Sequence, residues 1–305
     1  MKRDLLRLTD LTPEECQRIL ALALEIKSNG PSSTQLAGTT LAMIFEKPSL
    51  RTRISFETGI FQLGGMAIHL APQDIRLGER ETVPDVARTL AGMVDMIVAR
   101  TFTHETVSSL AAHAKVPVIN GLSDLHHPCQ LLADLLTLAE RRNSVETLGE
   151  LTVAFVGDGN NVFHSWMEAA ARLGFTLRLA CPAGYDPDPS ILEECRRDGA
   201  TIDILRSAIE AAQGADVIYT DVWTSMGQED EADERRKTFA DYQVNEALMQ
   251  VTAKDAVVMH CLPAHRGEEI TADVLEGPQS IVFEQAENRL HAQKALMVWL
   301  GEQRR

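Results

Sequence analysis

The sequence predicts an α/β protein built from two doubly wound parallel-sheet domains, and three observations carry that prediction. The chain has 305 residues, which suits two domains of about 150 residues better than one. Short apolar runs alternate with helical segments in both halves, the pattern of parallel strands joined by helical crossovers. Polar clusters follow the apolar runs six times, and doubly wound sheets bind ligands beyond the carboxyl ends of their strands. Such clusters converge in the cleft between two domains, so the active site is expected in that interdomain cleft.

The elements follow in order. Thr12-Pro13-Glu14-Glu15 has capping-box spacing with proline at the first helical position. Cys16, Ile19, Leu20, Ala23 and Ile26 then fall on one helical face, closed by Asn29-Gly30. TLAMIF (40–45) reads as a buried strand and ISFETGIFQL (54–63) as a helix ended by Gly64-Gly65. MAIHL (66–70), DMIVAR (95–100) and VPVIN (116–120) are further short strands, and a helix starts near Pro128. NSVETLGE (143–150) is polar and is the expected domain boundary, giving 1–145 and 146–285 with a last helix from about 286. LTVAFV (151–156), TLRLAC (176–181), ATIDIL (200–205), DVIYT (216–220) and AVVMH (256–260) are the strands of the second half.

Composition narrows the function. A hydrophobic share of 45% and a charged share of 24% are ordinary globular chemistry. A net charge of −15 disfavours nucleic acid and anionic membrane as partners. No run approaches the roughly 20 apolar residues of a membrane span, and the N-terminus turns acidic before a signal-peptide core forms. Five scattered cysteines argue against a disulfide framework, so a cytoplasmic location is expected. An anionic ligand would need a local basic site.

Ser49-Leu50-Arg51-Thr52-Arg53 follows the strand ending at Phe45 and supplies such a site. A helix start presents free N–H groups and positive dipole to a phosphate, and two arginines with two hydroxyls add donors. First-turn arginine opposes the dipole and costs stability unless an anion arrives; a solvated helix start is the plainer alternative. Arg100 ends another strand. His127 and Gln130, one helical turn apart, suit a neutral carbonyl and amide, while the spacing of His126, His127 and Cys129 fits no closed zinc site. GDGNNV lacks the third glycine and the later acidic residue of a dinucleotide fingerprint, so a nicotinamide cofactor is disfavoured. Asn160 and Asn161 either bind a polar substrate or make the turn. Asp221 offers a carboxylate for an ammonium, and Ser225-Met226-Gly227 offers hydroxyl and backbone groups for a carboxylate, an amino-acid-shaped set. Cys261 sits at a strand end as either a reactive thiol or inert packing. Arg289, after the last strand, reads as a surface residue.

Taken together, FEKPSLRTR, HPCQ (127–130), DGNNV, DVWTSMGQE, HCLPAHRGEE and AENRLHAQKALM resemble, in order and over roughly residues 5–301, the aspartate/ornithine transcarbamoylase family and its ornithine-specific branch. The resemblance implies that Ser49, Leu50, Arg51, Thr52, Arg53, Arg76, Arg100, His127, Gln130, Cys261, Leu262 and Arg289 bind carbamoyl phosphate. It implies that Asn161, Asp221, Ser225 and Met226 hold L-ornithine, and that Cys261, Asp221, Arg100 and His127 are catalytic. The implied product is L-citrulline, in arginine biosynthesis, with no metal and no cofactor. The last helix would return to the first domain, and the chain would form a homotrimer or a multiple of trimers. Leu50 stands where ornithine enzymes commonly carry threonine, and Arg76 where the family often has glutamine. Transfer to N-acylated ornithine, transfer to aspartate, and a non-catalytic amino-acid-binding role on the same fold are the alternatives.

Overall fold

The computed structural model describes residues 2–30, 32–224 and 229–303. The chain divides into two compact units, Met1–Glu140 with Glu287–Arg305, and Arg141–Ala286. From Glu287 onward the C-terminal helix, Val282–Glu302, thus belongs to the first unit.

In the first unit a parallel sheet is formed by β1 (Thr40–Phe45), β2 (Met66–Leu70), β3 (Met96–Arg100) and β4 (Val118–Leu122), in the order β2-β1-β3-β4. The chain steps from β1 to one side and then returns past it to β3. The switch point therefore lies between the carboxyl ends of β1 and β3, where such sheets open a ligand crevice. In the second unit β5 (Thr152–Val156), β6 (Thr176–Ala180), β7 (Thr201–Leu205), β8 (Val217–Thr220) and β9 (Val257–His260) run in the order β7-β6-β5-β8-β9. Its switch point lies between β5 and β8.

Local chemistry fixes the ends of the elements. The capping box at Thr12 is closed by Glu15, whose Oε2 accepts from Thr12 N–H at 3.0 Å. Helix Leu50–Gln62 begins four residues before the apolar run suggests, because Ser49 Oγ accepts the Thr52 N–H and starts it. β4 is shifted to Val118–Leu122 because the N-terminal segment lies along it: Leu5 N–H donates to Val118 O and Asn120 N–H to Leu5 O. The apolar strand faces meet their crossover helices. Ala42, Ile44, Ile97 and Ala99 pack with Val86, Val107 and Leu110 in the first unit. Ala154, Val156, Ile218 and Val258 pack with Phe239, Tyr242 and Leu248 in the second. The other face of the second sheet carries a ring cluster in which Phe155 stacks on Tyr219 at 5.3 Å and Trp166 meets Tyr219 edge-on at 5.2 Å. Aromatic pairs of this kind contribute about 0.5–1.5 kcal/mol each beyond the area they bury.

Candidate active site

The first unit gathers its basic and amide groups at the β1/β3 switch point. Phe45 and Arg100 are register partners, and Glu46 N–H donates to Arg100 O at 2.9 Å. Glu46 Oε2 accepts from Phe102 N–H, which ties the loop after β1 to the loop after β3. Ser49 is the N-cap of helix Leu50–Gln62, and its hydroxyl lies 3.0 Å from Thr52 Oγ1. The helix therefore presents capping hydroxyls and its positive end beside Arg51.

Arg289 corrects the surface reading of the sequence. Its residue is 2% exposed, and Nη1 donates to Gln130 Oε1 at 2.6 Å while Nη2 reaches Thr52 Oγ1 at 3.3 Å. With its carboxamide oriented to match its neighbours, oxygen towards the guanidinium, Gln293 accepts from Arg289 Nη2 and Nε at 3.0 and 3.2 Å. Arg100, His127 and Gln130 are also buried. Burial holds the His127 imidazole well below its ordinary value of 6.5, and the guanidiniums of Arg289, Arg100 and Arg51 lower it further. His127 is thus neutral at physiological pH and retains one N–H to donate. Cys129, buried and pushed up to about 12, is a protonated thiol donating to Asn120 O.

Three residues implied by the resemblance do not join this cluster. Leu50 is 74% exposed. Arg53 is half-exposed and pairs with Glu57 one turn on, at 2.9 Å. Arg76 is exposed, in the left-handed region with φ 43, at a turn where Glu79 N–H and Arg80 N–H donate to its carbonyl.

The second unit assembles a different set at the β5/β8 switch point. Asp221, just beyond β8, is buried. Its Oδ1 accepts from Cys261 Sγ at 2.8 Å and from Val222 N–H, and its Oδ2 accepts from Asn160 Nδ2 at 2.9 Å. Asn160 also caps helix Asn161–Leu173 through its Oδ1, which puts Asn161 on the first turn. Gly159 is required by close packing: a Cβ there would lie 2.5 Å from Pro187 N. The glycine of this loop serves the protein's own backbone, not a dinucleotide. Leu262 takes φ 56, a left-handed conformation rare outside glycine, and its N–H donates to His260 Nδ1 at 2.8 Å. Ser225 and Met226 lie outside the described residues.

Asp221, His260 and Cys261 group closely enough to hold a metal ion, as do His265, Glu268 and Glu269. The His260 ring is already engaged at both nitrogens, Nδ1 by Leu262 N–H and Nε2 by the buried Glu269 carboxylate at 3.1 Å. Glu269 Oε1 also accepts from His265 N–H, and Glu268 pairs with Arg236. These groups serve protein partners.

Two residues of consequence have no sequence signal that separates them from ordinary helix surface and core. Arg235, in the charged run ADERRKT, is buried, donates to Trp223 O and to the Asp158 carboxylate, and lies over the rings of Tyr185 and Phe239 at 4.8 and 5.4 Å. Asp134, among the leucines of helix Pro128–Arg142, accepts from Gln130 Nε2 at 2.8 Å.

A cluster of guanidiniums, imidazole and carboxamide at one switch point, with a carboxylate–thiol–carboxamide cluster at the other, suits a protein that handles a phosphorylated carbonyl compound and an amine. The chain belongs to the aspartate/ornithine carbamoyltransferase family. Its carbamoyl-P binding domain matches residues 3–140 and its Asp/Orn binding domain residues 149–300. The chain is 52% identical to the ornithine carbamoyltransferase of Syntrophus aciditrophicus over 97% of its length and 99% of that protein's. It is similarly 52% identical to the one of Thermococcus kodakarensis, covering 97% and 95%. Among solved structures, ornithine carbamoyltransferase from Pyrococcus furiosus superposes with a TM-score of 0.91 at 49% identity, covering 97% of this chain and 96% of that one. The anabolic enzyme of Campylobacter jejuni gives 0.94 at 41%, covering 99% and 100%.

Proposed function

We propose that this protein transfers the carbamoyl group of carbamoyl phosphate to the δ-amine of L-ornithine, giving L-citrulline and phosphate in arginine biosynthesis. The observation that carries the reading is the buried Arg289–Gln130–Thr52 chain beside a neutral His127, in a chain about half identical over nearly its full length to ornithine carbamoyltransferases.

Ser49, Thr52, Arg51 and the start of helix Leu50–Gln62 bind the phosphate oxygens. Arg100 and His127 donate to the carbonyl oxygen, and charge grows there as the amine attacks. Gln130 Oε1 accepts from the carbamoyl amino group, and Arg289 completes the phosphate site. Asp221, held by Asn160, and Cys261 orient the ornithine amine, with Asn161 and the Ser225–Met226 pair completing the ornithine contacts, and Leu262 joins the carbamoyl phosphate site. An amine with pKa near 10.4 must first lose a proton, at a cost of about 4 kcal/mol at pH 7.4. A C–N bond then forms, the C–O bond to phosphate breaks, and the second amine proton leaves with the phosphate. Orientation and fixed charge supply the rate, so the proposal includes no metal and no cofactor.

The working assembly in this reading is a homotrimer or a multiple of it. Leu50, Ile54 and Phe61 are exposed and fall within about 40° of one another on one helix, and Met66 and Ile68 are exposed on the edge strand β2. A second copy of the chain is the occupant that such a face suits. Light scattering is expected to give a trimer mass or a multiple, and Phe61→Glu to lower it. The proposed location is the cytoplasm; among the described residues no helix is long and apolar enough to cross a membrane.

A colorimetric citrulline assay tests the reaction. Carbamoyl phosphate with ornithine is expected to give colour, and with N-acetylornithine or aspartate little. Turnover of either alternative above that of ornithine would overturn the reading.

A further inference from the structure

Asp134 is fully buried one helical turn beyond Gln130, and its Oδ1 accepts from Gln130 Nε2 at 2.8 Å. A carboxylate only accepts hydrogen bonds, so it decides which end of the neighbouring carboxamide faces it. With Nε2 turned to Asp134, Oε1 is turned to Arg289 Nη1, 2.6 Å away. The reversed amide would set N–H groups against the guanidinium and an oxygen against the carboxylate.

The Arg289 guanidinium, 2% exposed, is thereby joined through one carboxamide to a fully buried acidic side chain. The carboxamide oxygen of Gln130 keeps a second lone pair, which suits one N–H of a carbamoyl amino group.

We infer that Asp134 is a positioning residue for carbamoyl phosphate: it fixes the Gln130 carboxamide with its oxygen towards Arg289 and the carbamoyl amino group. The inference rests on the proposed carbamoyl transfer and adds a residue to it.

Steady-state kinetics on the full chain test it. Asn at 134 both donates and accepts, so Asp134→Asn releases the amide. KM for carbamoyl phosphate is expected to rise about tenfold or more, with KM for ornithine within about twofold. A merely structural role would lower the melting temperature and the active fraction without moving KM. Gln130→Glu alone sets two carboxylates face to face and is expected to be impaired. Asp134→Asn combined with Gln130→Glu restores a donor at 134 and an acceptor at 130, and is expected to recover KM to within about threefold of wild type. Asp134→Asn with a wild-type KM would overturn the inference. So would a double variant no better than Gln130→Glu, and that comparison decides the matter where Asp134→Asn fails to fold. Wild-type protein inactive on ornithine would remove the proposed reaction instead. The thermal shift produced by carbamoyl phosphate, smaller in Asp134→Asn than in wild type, would then still test the positioning.

Discussion

Arg289 Nη1 lies 2.6 Å from Gln130 Oε1, although 159 positions separate the two residues. The bond joins the C-terminal helix to the start of helix Pro128–Arg142, and the same guanidinium reaches Thr52 on a third helix. One planar cation thus fixes the relative position of three elements, and its charge helps to lower the pKa of His127.

Arg289→Lys should therefore lose more than a charge would suggest. A single ammonium cannot serve Gln130, Thr52 and Gln293 together, and bonds to a charged donor are each worth about 1.5–3 kcal/mol. KM for carbamoyl phosphate is expected to rise by about tenfold or more, with a smaller change for ornithine. Equal losses for both substrates would place Arg289 in general packing.

The histidine beside it predicts a pH dependence of stability. The folded-state pKa of His127 is held well below 6.5, by burial first and then by Arg289, Arg100 and Arg51. Below pH 6.5 the unfolded chain takes up a proton that the folded chain refuses. The unfolded state therefore binds more protons in that window, and stability falls as the pH falls through it. One such group contributes a slope of up to about 1.36 kcal/mol per pH unit. His104 and His291, lowered chiefly by burial, add in the same direction. Urea unfolding at about pH 7.5 and 5.5 should show a drop that His127→Asn makes shallower. An unchanged slope in the variant would refute the assignment.

The fold was legible because each strand is a compact apolar run and each strand end carries its own polar cluster. Thr12 with Glu15 announced the first helix, and TLAMIF announced the central strand of its sheet. Sheet order was beyond local patterning, since β1 and β3 are joined only by pairing between segments some fifty residues apart, such as Phe45 and Arg100. Within the site, Ser49, Arg51 and His127 stood out because they break the local chemistry of their elements. Arg235 and Arg289 did not. On a helix, an arginine at a buried position looks like one on a solvated face until the partner helices are in place. Arg53, whose spacing suits a phosphate, has Glu57 one turn on and pairs with it at the surface.

Arg235 bears on the amino-acid side of the reaction. Trp223 is two residues beyond Asp221, and Asp158 two before Asn160, so Arg235 ties together the two loops that set the Asp221 carboxylate. Lysine keeps the charge but offers one point of attachment where the fork spans two. Arg235→Lys is expected to raise KM for ornithine about tenfold while KM for carbamoyl phosphate stays near wild type. The opposite split would detach Arg235 from ornithine binding.

Arg76 offers the sharpest test of the trimer reading. It is exposed and takes a left-handed conformation that costs a side chain about 1–2 kcal/mol. Arg76→Gly should relieve that strain against the extra chain entropy of glycine, leaving the melting temperature within a few degrees of wild type. We propose that in such a trimer Arg76 serves the carbamoyl phosphate of a neighbouring subunit, so activity should nonetheless fall. Arg51→Ala and Arg76→Ala trimers should each be nearly inactive. After subunit exchange at equal ratio, a site needs an intact Arg51 from one chain and an intact Arg76 from the next. About one quarter of sites then meet both conditions in a cyclic trimer. Recovery of that fraction of wild-type turnover supports the cross-subunit role, while no recovery confines Arg76 to its own chain. Full activity of Arg76→Ala by itself would show that this exposed turn has no part in the chemistry.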